Sequence, residues 1–155
     1  MKKTVFVLMS LLILASGMLG CDKEEKEETP DNACGIINIS NDEYVTMQAS
    51  PENVSINADS IHLIIENHTK ENIICDAVFS LDYHDGQTWI PVNLNISFED
   101  IGYILKSGES MEQVLVLLFP EYNIVRGKYR VKKHITLTDS STKEYTICAE
   151  FEIYF

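Results

Sequence analysis

Apolar and polar side chains alternate along most of this chain, and that period of two restricts it to strands. From position 145 onward, Tyr145, Ile147, Ala149, Phe151, Ile153 and Phe155 alternate with Thr146, Cys148, Glu150 and Glu152. Successive side chains of a strand point to opposite faces, so this run predicts a half-buried strand with a single apolar face. Cys75, Ala77, Phe79, Leu81 and Tyr83 form a second such face, with Asp76, Ser80 and Asp82 opposite and Val78 the exception. A third strand is predicted over residues 127–137, where Tyr129, Val131, Ile135 and Leu137 share a face interrupted by Lys133. A bulge, or a position beyond the core edge, would account for that lysine.

Shorter strands are predicted at residues 36–39, 44–47, 61–66, 88–92 and 114–119. Turn residues punctuate them: Ser50-Pro51-Glu52-Asn53, the polar stretch 67–72, Ser107-Gly108-Glu109, Pro120-Glu121-Tyr122-Asn123 and Asp139-Ser140-Ser141-Thr142. Asp85-Gly86 lies between two strand-like runs, the strongest local hairpin signal, and predicts a type I′ turn. Pro91 has no amide to give a ladder, so its strand belongs at an edge. Helical spacing is absent beyond the first twenty residues. Short strands at this spacing predict an all-β, immunoglobulin-like β-sandwich of about seven to nine antiparallel strands.

The N-terminus reads differently. Lys2 and Lys3 precede an apolar stretch from Val5 to Leu14, followed by Ala15-Ser16-Gly17. Charge, apolar run and small residues in that order are the layout of a secretory signal. The apolar run falls short of the about 20 residues a membrane-spanning helix needs. Met18-Leu19-Gly20-Cys21 resembles a bacterial lipobox. The resemblance implies cleavage between Gly20 and Cys21, with lipid on the Cys21 thiol. Two or three acyl chains, at about 0.8 kcal/mol per buried CH₂, hold a domain firmly to a membrane. Residues 22–32 carry no apolar side chain and read as a solvated tether. Within it, Lys23-Glu24-Glu25 resembles the surface-export signal of Bacteroidetes lipoproteins. The expected organisation is therefore a signal peptide at 1–20, a lipidated cysteine and acidic tether at 21–33, and one domain at 34–155. The expected address is the cell envelope, at the outer membrane and exposed on its surface.

The chain has 12 basic and 24 acidic residues, a net charge of −12. Loss of Lys2 and Lys3 with the signal leaves ten basic residues against 24 acids, or −14. Such a charge disfavours nucleic acid as a partner, because no basic field exists to release counterions. Besides Cys21 there are Cys34, Cys75 and Cys148. An oxidising envelope permits at most one internal disulfide among three thiols. Cys75 lies on an apolar face and Cys148 on a polar one, which disfavours that pair. Cys34–Cys148 is equally allowed, three free thiols remain open, and residue pattern alone does not choose. No zinc-type spacing occurs, and neither metal nor cofactor is expected.

Four further segments carry a family resemblance. They are Ile64-Ile65-Glu66-Asn67-His68-Thr69, Asp85-Gly86-Gln87-Thr88-Trp89-Ile90-Pro91-Val92, Leu105-Lys106-Ser107-Gly108-Glu109-Ser110 and Gly127-Lys128-Tyr129-Arg130-Val131. In this order and spacing they resemble the bacterial Ig-like domains of Gram-positive and Bacteroidetes lipoproteins, over about residues 44–137. The resemblance implies the sandwich and no activity, since sandwiches host many functions. Folds of this kind often place a tyrosine at the start of a late strand, its hydroxyl bonded to backbone upstream, and Tyr129 is the candidate. Trp89 is expected to cover the core.

No catalytic set is expected. His62, His68, His84 and His134 lie on separate segments, Asp82-Tyr83-His84-Asp85 reads as a hairpin tip, and no G-x-S-x-G occurs. Lys128, Arg130 and Lys132 share one strand face. They read as a solvated stripe paired with neighbouring acids, or as a docking stripe for an acidic partner or a sugar. Asp59-Ser60-Ile61 resembles the Bacteroidetes O-glycosylation motif and implies Ser60 as acceptor. The leading expectation is a non-catalytic envelope module that binds a protein or glycan. The alternative is a protease inhibitor or ligand sensor presenting residues 93–104.

Overall fold

A computed structural model describes residues 34–94, 96–99, 101–117, 124–139 and 143–155. Gly20, Cys21, the export signal Lys23, Glu24 and Glu25, and the turns at 120–123 and 140–142 lie outside the described residues. The strands are β1 (Ile36–Ser40), β2 (Glu43–Ser50), β3 (Asn53–Ser55), β4 (Ser60–Asn67), β5 (Ile73–Asp76) and β6 (Ser80–His84). They continue with β7 (Trp89–Val92), β8 (Gly102–Leu105), β9 (Ser110–Val116), β10 (Gly127–Leu137) and β11 (Glu144–Tyr154). β1-β2-β4-β9 form a four-stranded sheet. The other sheet has seven strands in the order β3-β11-β10-β5-β8, with β6 pairing β10 and β7.

The two sheets stack into a sandwich whose core is the apolar half of each alternation. β2 and β4 supply Val45, Met47, Ala49, Ile61, Leu63 and Ile65 from one sheet. β10 and β11 supply Val131, Ile135, Leu137, Ile147, Ala149, Phe151 and Ile153 from the other. Each of these side chains larger than alanine stabilises the fold by about 1.5–3 kcal/mol through burial. β10 and β11 pair over ten positions without a register shift.

The sandwich is as expected, with eleven strands among the described residues against the expected seven to nine, and the β3–β11 pair is parallel. The difference comes from short pieces, such as the three-residue β3, and from one strand that divides. Residues 75–83 were expected as a single strand, and they form parts of β5 and β6 with Ala77-Val78-Phe79 between. Lys132 pairs with Ser80 and Ile135 with Cys75, so β10 advances three residues while the facing chain advances five. The extra residues bulge from the facing chain, and β10 itself stays regular.

Lys133 lies opposite that bulge and explains it. It points inward and is 1% exposed. Its Nζ donates to the carbonyl oxygens of Asp76 at 2.5 Å, Val78 at 3.2 Å and Ala77 at 3.4 Å. An ammonium has three donors, and here three backbone acceptors leave the ladder to meet them. Burial pushes the Lys133 pKa down, opposed by Cys75 and Asp76. Burial likewise pushes the Cys75 thiol up. A bulge does account for this lysine, in the facing chain and not in β10, and Lys133 lies inside the core, not beyond its edge.

Candidate functional site

The outer face of the seven-stranded sheet gathers the polar side chains that the core rejects. Register sets them in rows. Asp82 of β6 stands beside Arg130 of β10, which stands beside Glu150 of β11. Ser80, Lys132 and Cys148 form the next row. Lys128, Glu152 and Asn53 form another, across β10, β11 and β3. The basic stripe therefore runs between acids on both sides.

Asp82 organises the first rows. Arg130 Nε and Lys132 Nζ each lie 2.8 Å from its Oδ2. The two long side chains cover the carboxylate, which is only 2% exposed. A charge so buried persists only when paired and hydrogen-bonded. Oδ1 of Asp82 has no hydrogen-bond partner among the described residues. Alternation placed Asp82 on a solvated face. It lies on that face, yet its neighbours bury it, a consequence of cross-strand register that sequence spacing does not contain.

Trp89 belongs to this face and not to the core. Arg130 Cζ sits 4.6 Å above its ring, and the His84 ring meets it edge-on at 4.8 Å. Stacking with a guanidinium is favourable at such a half-buried place. Pro91, next along β7, pairs opposite Asp82 on an edge strand. The hairpin that carries Trp89 is held by Asp85, whose Oδ1 accepts the Gln87 and Thr88 amides, both at 2.8 Å. Those bonds draw the Asp85 pKa down. Asp85 thus precedes the turn, where a type I′ turn would have placed it centrally, and Gly86 supplies a φ of +100°.

Lys128, Glu150, Phe151 and Glu152 line a surface hollow of about 160 Å³ with Glu52 and Asn53. A second, of about 320 Å³, shares Glu52 and Glu150 and reaches Cys34. Cys34 and Cys148 form a disulfide, and Cys75 is free and buried. Pairing required the placement of the segment before β1 beside β11, which no residue pattern reports. Tyr129 makes the upstream bond expected of it: its hydroxyl donates to the Val125 carbonyl at 2.8 Å and accepts the Val125 amide at 3.0 Å.

The remaining candidates lie apart. Ser60 starts β4 opposite Val116 and is half-buried. His62 pairs with Glu112, His68 with Glu66, and His134 with Thr146. Among the described residues, no group of His, Cys, Asp or Glu could hold a metal ion. The polar stretch after β4 is not simply solvated. Asn67 and Thr69 are 1% and 4% exposed. Asn67 Nδ2 donates to the carbonyls of Glu71 and Leu105, and its Oδ1 accepts the Thr69 amide and hydroxyl.

Two stacked sheets, a tyrosine corner and a bridge between the edge of one sheet and a strand of the other define an immunoglobulin-like domain. The family of bacterial Ig-like domains matches residues 40–152, and the chain belongs to it. No curated protein matches the chain. Among solved structures it is similar to the PmoD soluble domain from Methylocystis sp. ATCC 49242 (Rockwell), at 9% identity and a TM-score of 0.38. That match covers 79% of this chain and 98% of the other.

Proposed function

We propose that this chain is a lipid-anchored, non-catalytic Ig-like module of the bacterial envelope that binds a protein or glycan through the outer face of its seven-stranded sheet. Cys21 carries the lipid, residues 22–33 space the domain from the membrane, and Lys23-Glu24-Glu25 direct it to the outer surface. The observation that carries the binding reading is the engagement of the stripe within the sheet. Arg130 and Lys132 share the one carboxylate of Asp82, and Glu150 stands beside Arg130 on the next strand. What the face offers a partner is Trp89, His84, Lys128, Glu152 and Asn53, an aromatic ring beside hydrogen-bonding groups of both signs. Aromatic rings and mixed donors suit recognition surfaces better than steering fields do.

The alternative, an inhibitory or sensing loop at 93–104, has less support. Its last three residues, 102–104, belong to β8, which pairs along β5. The Ala77 amide donates to the Ile101 carbonyl, and Phe98 packs edge-on against Phe79. These contacts hold the segment down.

The test is a glycan array and an envelope pull-down with the mature chain, repeated with Trp89→Ala and Lys128→Ala. Binding is expected to fall at least tenfold in Trp89→Ala and less in Lys128→Ala, with the β-sheet spectrum unchanged. A partner bound equally by all three proteins, or no reproducible partner, overturns the assignment of this face. Separately, a Cys21→Ser protein that still fractionates with membranes overturns the anchor.

A further inference from the structure

We infer that the Cys34–Cys148 bridge is a clamp that fastens the N-terminal tether to both sheets and prevents β1 from being stripped off the sandwich. Its mechanical purpose rests on the anchor proposed above; the clamp itself does not.

β1 is the outermost strand of the four-stranded sheet, and among the described residues its ladder partner is β2. Its four register pairs include an irregularity between Asn38 and Ser40. A short edge strand pulled from its free end loses its hydrogen bonds one at a time. Cys34 lies at that free end, just where residues 22–33 join the domain. Without a cross-link, any pull on the tether would unzip β1 and take Ile37 out of the core.

The bridge changes where the pull arrives. Cys148 sits within β11, which pairs along ten positions with β10 and also with β3. Load entering there meets many bonds at once. The next residue reinforces the junction. The Gly35 amide donates to the Cys148 carbonyl at 2.8 Å, and the Gly35 carbonyl accepts the Met47 amide at 2.9 Å. One glycine thus bonds to β11 of one sheet and β2 of the other. Its φ of +106° lies in the left-handed region, which favours glycine at this crossing.

The surroundings favour a permanent clamp over a redox switch. Cys34 borders the hollow that Glu52 and Glu150 also line. Reduction begins with attack by a thiolate anion, and carboxylates at the mouth repel it. When a dithiol does reduce the bridge, it gives up two electrons and two protons, closes its own disulfide and leaves Cys34 and Cys148 as thiols.

Hydrogen exchange read by mass spectrometry tests this on the mature chain carrying Cys21→Ser, so the outcome does not depend on the lipid. It compares the oxidised protein, the protein reduced with dithiothreitol, and Cys34→Ser. Reduction and Cys34→Ser are each expected to raise exchange across residues 36–40 and their β2 partners at least tenfold, leaving β10 unchanged. Optical-trap pulling on the tether should give an early extension of about 3 nm in the reduced protein alone, the length of roughly nine freed residues. Unchanged protection of β1 after reduction, a uniform rise across both sheets, or an early extension in the oxidised protein overturns the clamp. Reduced wild-type chain serves as the control should Cys34→Ser fold poorly.

Discussion

β11 and the segment 75–83 both alternate in sequence, the latter with Val78 as its exception, and they end differently. β11 stays straight because β10 matches it residue for residue over ten positions. The other segment faces the opposite edge of the same β10 with two residues too many, and it breaks into β5 and β6. Alternation therefore reports which face a side chain takes. It does not report continuity, which depends on what stands across the ladder. At the break the facing group is an ammonium, and three carbonyls turn to it in place of strand partners. The break also lets one strand position serve two neighbours, since β5 pairs with β8 while β6 pairs with β7.

Replacing Lys133 attacks that contrast most directly. Lys133→Met keeps the stem and removes the donors, leaving buried carbonyls unmet. The expected loss is about 3 kcal/mol of unfolding free energy, read from urea melts. Exchange should rise at 73–84 and stay low in β11. A loss below about 0.5 kcal/mol would mean that the bulge is held by something else. Tyr129 sharpens the comparison, because it pairs with Phe151 of β11 on one side and Tyr83 of β6 on the other. Tyr129→Phe gives up the two bonds to Val125 and should cost about 1–1.5 kcal/mol, seen as a lower thermal midpoint with both strands equally protected. The smallest effect is on pH dependence. Burial lowers the Lys133 pKa, so the unfolded chain binds more protons between the folded and unfolded values. The penalty is full below the folded pKa and vanishes above the unfolded one, so this group adds stability as pH rises through that window. Cys75 and Tyr129 have raised values and act in the opposite sense. Subtracting the Lys133→Met curve largely cancels them, and the stability gap between the two proteins should widen towards alkaline pH. A narrowing gap would reverse the assigned direction.

Much of the fold was legible because it is local. The bounds of β10 and β11, the edge position of Pro91 and the corner role of Tyr129 each follow from residue type and spacing. The site was less legible because it is made by register. Lys128, Arg130 and Lys132 share a face by period two alone. That Asp82 would disappear beneath two of them, and that Trp89 would stack on Arg130 outside the core, depends on β6 lying beside β10. The same holds for the cysteines. Faces disfavoured Cys75–Cys148, but choosing Cys34 required knowing that the segment before β1 passes β11.

Asn67-His68-Thr69 has a practical consequence. It satisfies the acceptor rule for N-linked glycosylation, yet Asn67 and Thr69 are sealed inside the fold and Asn67 Nδ2 already serves two carbonyls. A cell that attaches sugar during translocation meets this tripeptide before it is sealed. An oligosaccharide added then would take one of the two Nδ2 hydrogens and prop open the turn between β4 and β5. Recombinant material from a eukaryotic secretory host would carry a misfolded fraction that bacterial material lacks, and Asn67→Asp would trade that burden for a weakened turn.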